Sequence, residues 1–231
     1  MDICSMNAKK NAADAAVNFV SSGMIVGLGT GSTAYWAIEK IGERIRQEGL
    51  QIKAIATSKR SEEQARSLNI PIYSFADIDE IDITIDGADE SDAAFNLIKG
   101  GGGALLREKI VASNSKQLIV IADETKLVKH LGKFPLPVEI ALFGWEKTFK
   151  KLKALGCTPH LRMDKQQPYL TDNGNYIIDC AFNEISNPPE LHEQINRIVG
   201  VMENGLFINL AKKLVIAYMD GTTKVFEKPR F

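Results

Sequence analysis

In the first half of the chain, short unbroken apolar runs alternate with stretches of helical periodicity. Ala12, Ala15, Ala16, Phe19 and Val20 recur at helical spacing, which predicts a helix over Asn7 to Val20. Gly23 to Leu28 reads as a short buried strand and Ser32 to Arg46 as the next helix. Ile52 to Ala56 predicts a second strand, Ser61 to Leu68 a helix opened by polar Thr57 and Ser58, and Ile81 to Ile85 a third strand. After a polar, glycine-rich stretch, Ala104 to Ala112 is expected to be helical and Gln117 to Ile121 a further strand. Runs that are continuously apolar, rather than alternating, favour a parallel sheet covered on both faces. The expected class for this part is α/β.

The pattern changes after Lys126. Leu131 to Pro137 carries two prolines and is expected to be a crossover, since proline blocks helix and interior strand alike. Beyond it the pattern predicts a strand over Val138 to Leu142, a helix over Trp145 to Leu155 and a helix over Pro188 to Ile198. Tyr169 to Ile178 reads as a hairpin turning at Asn173-Gly174, a pair that accepts positive φ at both positions. A second hairpin, Lys213–Met219 with Thr223–Phe226 around Asp220-Gly221, is expected to return to the first sheet. The expected division is therefore an α/β catalytic domain of residues 1–130 with 206–231, and a small α+β domain of residues 131–205.

Composition narrows the function classes. With 231 residues, 45% of them apolar, the chain can bury a sizeable core. Its 28 basic and 29 acidic residues leave a formal charge of −1, so no cationic field is available for nucleic acid and an anionic ligand must be met locally. Cys4, Cys157 and Cys180 are too few and scattered for a disulfide framework. Cys157 and His160 make one C-x-x-H, but no second pair completes a zinc site. The opening MDICSMNAKK lacks a signal peptide's apolar stretch and no run reaches transmembrane length, so a cytoplasmic protein with no membrane partner is expected.

Polar, glycine-rich segments follow the ends of the predicted strands: Gly29–Thr33, Thr57–Ser61, Asp86–Glu90 and Asp123–Lys126. In an open parallel sheet these loops gather along the carboxyl edge, where ligands bind. Gly27-Leu28-Gly29-Thr30-Gly31-Ser32-Thr33 can present backbone N–H groups to an anion at a helix start. It is no Walker A loop, because no lysine precedes Ser32 or Thr33, and Ser32 stands where a dinucleotide loop needs its third glycine. A small phosphate monoester remains, beside the alternative of a tight turn capped by Ser32 or Thr33.

Asp86-Gly87-Ala88-Asp89-Glu90 places three carboxylates in five residues. It reads as a solvated turn, a magnesium site, or an acid–base centre exchanging protons with polyol hydroxyls. Lys99-Gly100-Gly101-Gly102-Gly103 then leads into a helix carrying Arg107, Glu108 and Lys109. Four glycines cost roughly 0.5–1 kcal/mol each relative to alanine in regular structure, which a close backbone approach would justify. Lys99 brings a cation near the carboxylates and disfavours the magnesium reading. Glu108 can face back toward the glycines, or it is one member of a surface charge run; Lys126 is equally ambiguous. The three histidines form no constellation, and no nucleophile motif supports a hydrolase.

GLGTGST at 27–33, DGADE at 86–90, IKGGGGAL at 98–105, REKI at 107–110, GKFPLPVE at 132–139 and TDNGN at 171–175 together resemble the ribose-5-phosphate isomerase A family. The resemblance implies an open, mostly parallel sheet with helices on both faces (Rossmann-like) plus a smaller α+β domain. It implies interconversion of ribose 5-phosphate and ribulose 5-phosphate in the pentose phosphate pathway, through an enediolate, without cofactor or metal, by a homodimer or homotetramer. Position by position, Glu108 matches the proton acceptor, with Asp86, Asp89 and Lys99 as further catalytic groups. Thr30, Gly31, Ser32, Thr33, Asp86, Gly87, Ala88, Asp89, Lys99, Gly100, Gly101, Gly102 and Lys126 match substrate contacts, and Lys9 a less secure one. Gly103 departs slightly, standing where alanine is also common. The competing readings are a sugar-phosphate-sensing module on the same scaffold and a coenzyme A transferase-like enzyme with a glutamate nucleophile.

Overall fold

In chain order the protein runs through helix α1 (Ile3–Val17), strand β1 (Ile25–Leu28), α2 (Ala34–Glu48), β2 (Lys53–Ala56), α3 (Lys59–Ser67) and β3 (Ile81–Gly87). Short strands β4 (Glu90–Ser91) and β5 (Leu97–Ile98) precede α4 (Leu105–Ser113) and β6 (Ser115–Asp123). Next come β7 (Leu136–Ile140), α5 (Trp145–Lys153), β8 (Thr158–Leu161), β9 (Met163–Asp164), β10 (Gln167–Pro168) and β11 (Tyr176–Ala181). The chain closes with α6 (Pro188–Asn196), β12 (Val201–Asn204), β13 (Leu206–Phe207), β14 (Ala211–Ala217) and β15 (Thr223–Glu227). This computed structural model describes residues 3–228, and the side chain of Cys4 lies outside the described part.

Two compact units emerge. The first comprises residues 1–88, 107–126 and 210–231. Its six-stranded sheet has the order β15-β14-β6-β3-β1-β2, parallel throughout except for β15, which pairs antiparallel with β14. The unbroken apolar runs of the sequence become its central strands, because both faces are covered. On one face Val26, Leu28, Ile83, Ile85, Ile119 and Ile121 pack with Ala12, Ala16 and Val17 of α1 and Ile38 and Ile41 of α2. On another cluster Val111 of α4 meets Ile55 and Ile81. Each fully buried Leu or Ile contributes about 1.5–3 kcal/mol. Since β1, β2, β3 and β6 run in parallel, the loops after them share one edge of the sheet, as their polarity predicted.

At the opposite, amino edge, Asp82 ties three strands together. Its carboxylate accepts from Lys116 Nζ at 2.8 Å and from the Ile25 N–H at 2.9 Å. These bonds, the lysine's first, hold the Asp82 carboxyl below its ordinary value against an opposing effect of burial. A depressed carboxyl stabilises the fold above its unfolded pKa, and that stabilisation disappears as pH falls through the folded pKa. The melting-temperature gap between wild type and Asp82→Asn should therefore be constant near neutrality and close as the pH drops below about 4, the range where a free Asp protonates. A gap unchanged down to strongly acid pH would show that Asp82 acts through packing alone.

The second unit comprises residues 89–106 and 127–209. Its four-stranded antiparallel sheet has the order β12-β7-β11-β8, flanked by the small pairings β13-β5-β4 and β10-β9. Leu136, Val138, Ile140, Ile178, Cys180 and Leu206 form the core with Leu152 of α5 and Ile195 of α6. Cys157 and Cys180 are both buried there as free thiols. The bond from Cys157 and burial together push the Cys180 thiol up.

Two expectations fail in this unit. Leu136 and Pro137 are not crossover residues: both belong to β7, between β12 and β11. Pro137 is tolerated because its carbonyl accepts from the Gly205 N–H while the β12 ladder has already ended at Asn204, opposite Val138. The donor that proline lacks therefore falls beyond the ladder. Nor is Tyr169–Ile178 a hairpin: β11 pairs with β7 and β8, and Tyr169 to Thr171 is not a strand. Of the Asn173-Gly174 pair only Gly174 takes positive φ, at 76°. The turn is instead closed around fully buried Glu139, whose Oε1 accepts from Thr171 Oγ1 at 2.9 Å, Asn173 Nδ2 at 3.1 Å and Asn175 Nδ2 at 2.9 Å. A buried carboxylate with three donors outweighs the local hairpin preference.

Candidate active site

In the first unit, the loop from Gly29 to Thr33 joins β1 to α2 and lies against Asp86 at the end of β3. The Thr30 N–H donates to Asp86 Oδ1 at 3.0 Å, and the same oxygen accepts from the Gly87 N–H at 2.7 Å. A Cβ at position 29 would stand 2.3 Å from Asp86 Oδ1 and 2.6 Å from its Cα, so only glycine permits this approach. Asp86 is buried.

A chain of hydroxyls fastens the loop from the other side. Thr30 Oγ1 donates to Ser58 Oγ at 2.8 Å, Ser58 to Ser61 Oγ at 3.0 Å, and Ser61 to the Gly29 carbonyl at 2.6 Å. Thr57 Oγ1 donates to the Leu28 carbonyl at 2.9 Å. Thr57, Ser58 and Ser61 are all buried, so the polar stretch after β2 serves to hold the loop after β1. Ser32 is exposed, and Lys9 Nζ reaches its Oγ at 2.9 Å. Thr33 sits at the N-cap of α2 without a side-chain cap, so the turn is not the Ser/Thr-capped one that the alternative required at this position. No acidic residue occupies the first turn of α2.

Glu108 lies in the first turn of α4, where a carboxylate is favoured by the helix dipole. It is only 4% exposed and Lys109 only 9%, so the charge run is not a solvated helix face. Lys126 closes a short 3-10 turn after β6 and is half-buried, and Asp123 caps that turn by accepting from the Thr125 N–H at 3.0 Å.

In the second unit, Asp89 is held by its own N–H on the Ile98 carbonyl at 2.8 Å, and its Oδ2 accepts from the Gly101 N–H at 2.8 Å. A Cβ on Gly101 would stand 2.6 Å from Asp89 Oδ1, so this contact explains the glycine. Lys99 is buried, with Nζ 5.3 Å from the centre of the Phe207 ring. Glu90 has a different task from its two neighbours: buried, it accepts from the Gly132 N–H at 2.7 Å and the Phe134 N–H at 2.6 Å and anchors the crossover. Gly101 and Gly102 are exposed, Gly100 buried.

The structure thus brings Thr30 to Asp86 in one unit and Gly101 to Asp89 in the other, and only Gly87 and Ala88 separate the two aspartates along the chain. Among the described residues no group of three His, Cys, Asp or Glu side chains is placed to hold a metal ion. Sequence reasoning missed Glu139 and Arg162, which bonds to the Gly100 and Gly101 carbonyls from about sixty residues away. No local signal marks Arg162, and Glu139, although it ends the 132–139 motif, carries no sign there of the turn that it holds.

The family model described as ribose 5-phosphate isomerase A (phosphoriboisomerase A) matches residues 53–221. The chain belongs to the ribose-5-phosphate isomerase A family. Among its relatives, ribose-5-phosphate isomerase A of Bacillus mycoides strain KBAB4 is 56% identical over 217 residues, covering 94% of this chain and 98% of the relative. The solved ribose 5-phosphate isomerase of Plasmodium falciparum is 41% identical with a TM-score of 0.94, covering 97% of this chain and 100% of that one. A D-ribose-5-phosphate isomerase solved with phospho-erythronic acid is 38% identical with a TM-score of 0.93, covering 98% and 100%. The α/β fold with its mostly parallel sheet is shared with these family members.

Proposed function

We propose that this chain interconverts D-ribose 5-phosphate and D-ribulose 5-phosphate, with Glu108 as the proton-transferring base. The family match across residues 53–221 carries the reading. In the aldose-to-ketose direction, the Glu108 carboxylate takes the proton from C2 to give an enediolate with its charge on O1; a proton passes from O2 to O1, and Glu108 returns its own proton to C1. A base that takes a proton from one carbon and returns it to the next must be held in a fixed place beside both, and the burial of Glu108 in α4 supports this role. Asp86 and Asp89 exchange the hydroxyl protons, including those moved in ring opening. Lys99 and the amides of Gly100 and Gly102 stabilise negative charge developing on O1 and O2, while the Gly101 amide holds Asp89. Thr30, Gly31, Ser32, Thr33 and Lys126, with Gly87 and Ala88 beside Asp86, bind the phosphate and hydroxyls. That a family member holds phospho-erythronic acid supports a phosphorylated polyol as the ligand class here.

The working form we propose is a cytoplasmic homodimer or homotetramer. No described helix is long and apolar enough to cross a membrane, and exposed Phe143, Val199 and Met202 of the second unit are compatible with subunit contacts.

The test is direct: the purified chain, dialysed exhaustively against a chelator, is incubated with ribose 5-phosphate and ketose formation is followed. Full activity is expected. No ketose with or without added divalent cation would refute the isomerase reading, whereas activity restored only by a cation would refute its metal-free form.

A further inference from the structure

The Gly100–Gly102 loop is held from behind by a side chain that the reaction as described does not use. Arg162 follows β8, and its own N–H is fixed on the Ile177 carbonyl at 2.8 Å. Its Nη1 donates to the carbonyls of Gly100 at 3.0 Å and Gly101 at 3.3 Å. On the other side Nε donates to Asp179 Oδ2 at 2.9 Å and Nη2 to Asp179 Oδ1 at 2.5 Å, a two-pronged pairing. The guanidinium centre also lies 5.9 Å from the middle of the Tyr169 ring. Four of the five guanidinium N–H bonds are thus committed, which leaves Arg162 poorly equipped to bind substrate itself.

The consequence follows from the planarity of the peptide. No peptide bond in the described chain is cis, and a trans peptide sends its C=O and its N–H to opposite sides. Pulling the Gly100 carbonyl toward Arg162 therefore turns the Gly101 N–H away, and there it meets Asp89 Oδ2 at 2.8 Å. Pulling the Gly101 carbonyl the same way turns the Gly102 N–H outward as well. The Gly101 N–H is thus committed to Asp89, while Gly102, an exposed glycine, carries its N–H on the outward side of the loop. Glycine peptides left to themselves flip readily, because neither φ sign is penalised. The Gly103 N–H already holds the Gly100 carbonyl at 2.9 Å; Arg162 adds a second hold there and grips the next carbonyl, that of Gly101, which removes the remaining freedom.

We propose that Arg162 is a positioning residue, which aims the amide donors of Gly101 and Gly102 and so fixes both Asp89 and the oxyanion-stabilising face of the loop. The inference rests on the reading above that this loop serves the isomerisation. Lysine cannot replace the arginine, since a single ammonium cannot span the Asp179 carboxylate and two carbonyls together.

The experiment measures kcat and KM for ribose 5-phosphate in wild type, Arg162→Lys and Arg162→Ala, with the melting temperature of each. Misaligned groups at a reacting centre cost on the order of 10–100-fold. A loss of that size is expected in kcat for both variants, with KM little changed because phosphate binding lies on the Gly29–Thr33 loop. Should the alanine variant fail to fold, the lysine variant, which keeps a charge beside Asp179, carries the test. A folded variant with wild-type kcat, or a loss confined to KM, overturns the positioning role. Inactive wild type would instead overturn the isomerase reading, so the two failures are distinct.

Discussion

Replacing Glu108 by glutamine should lower turnover of ribose 5-phosphate by at least about 10²-fold and up to about 10⁴-fold, the contribution of a positioned general base. Gln keeps the shape and the hydrogen-bonding reach of the side chain and removes only the group that can carry a proton from C2 to C1. The site is the right place for so large an effect, because Glu108 is 4% exposed in the first turn of α4 and water has little access to act as substitute base. In the proposed site the contacts to the phosphate and hydroxyls lie on other residues, so KM should change little and circular dichroism should report an unaltered fold. Exchange of the C2 proton with deuterated solvent should vanish in step with isomerisation. A variant that keeps near-normal turnover would return Glu108 to a purely structural charge and move the base to Asp86 or Asp89.

The blandest residue in the sequence is thus the one asked to do most, and the reason lies in what local pattern can express. The strands of the first sheet were legible because a strand buried on both faces must be apolar at every position, as Gln117 to Ile121 is from Leu118 onward. The loops at its carboxyl edge were legible because polar residues cluster with glycine where those runs leave the sheet, although Asp82 and Thr84 also interrupt β3 itself. Burial of a charge has no such signature. Arg107-Glu108-Lys109 looks like a solvated helix face, and Glu90 looks like a third member of the Asp86-Asp89 cluster, although it holds the backbone of Gly132 and Phe134.

The second unit was read less well, and each failure has a distant cause. Asn173-Gly174 carries a strong turn preference, but the partner that shapes its loop is Glu139, more than thirty residues earlier. Pro137 argues against an interior strand only if the proline meets a complete ladder, and β12 stops one pair short of it. Strands β9 and β10 are two residues each, too brief for any alternation to show. Arg162 is invisible for a related reason: it binds carbonyls, which every residue possesses, so nothing in the glycine run announces that a guanidinium is needed. What the motifs could not convey is therefore which residues hold the loops still.

The last expectation concerns those loops' ligand. Unphosphorylated ribose should be turned over with kcat/KM lower than that of ribose 5-phosphate by about 10³-fold or more, since three hydrogen bonds to a charged group at roughly 1.5 kcal/mol each correspond to that factor. The loss should appear partly in kcat, because binding energy remote from the reacting carbons is what holds C1 and C2 against the base. Inorganic phosphate should compete weakly with ribose 5-phosphate and not with ribose. The Gly29–Thr33 loop supports this because it meets an anion's requirements locally in a chain whose net charge is −1. Thr30 is fixed by Asp86 and by the hydroxyl chain through Ser58 and Ser61, exposed Ser32 sits 2.9 Å from Lys9 Nζ, and α2 begins without an acidic residue in its first turn. Helix dipole, amides and ammonium then act on the same small region. Equal efficiency on both sugars would remove the loop from the binding site, and its hydroxyl chain would be no more than the fastening of a strand-to-helix turn.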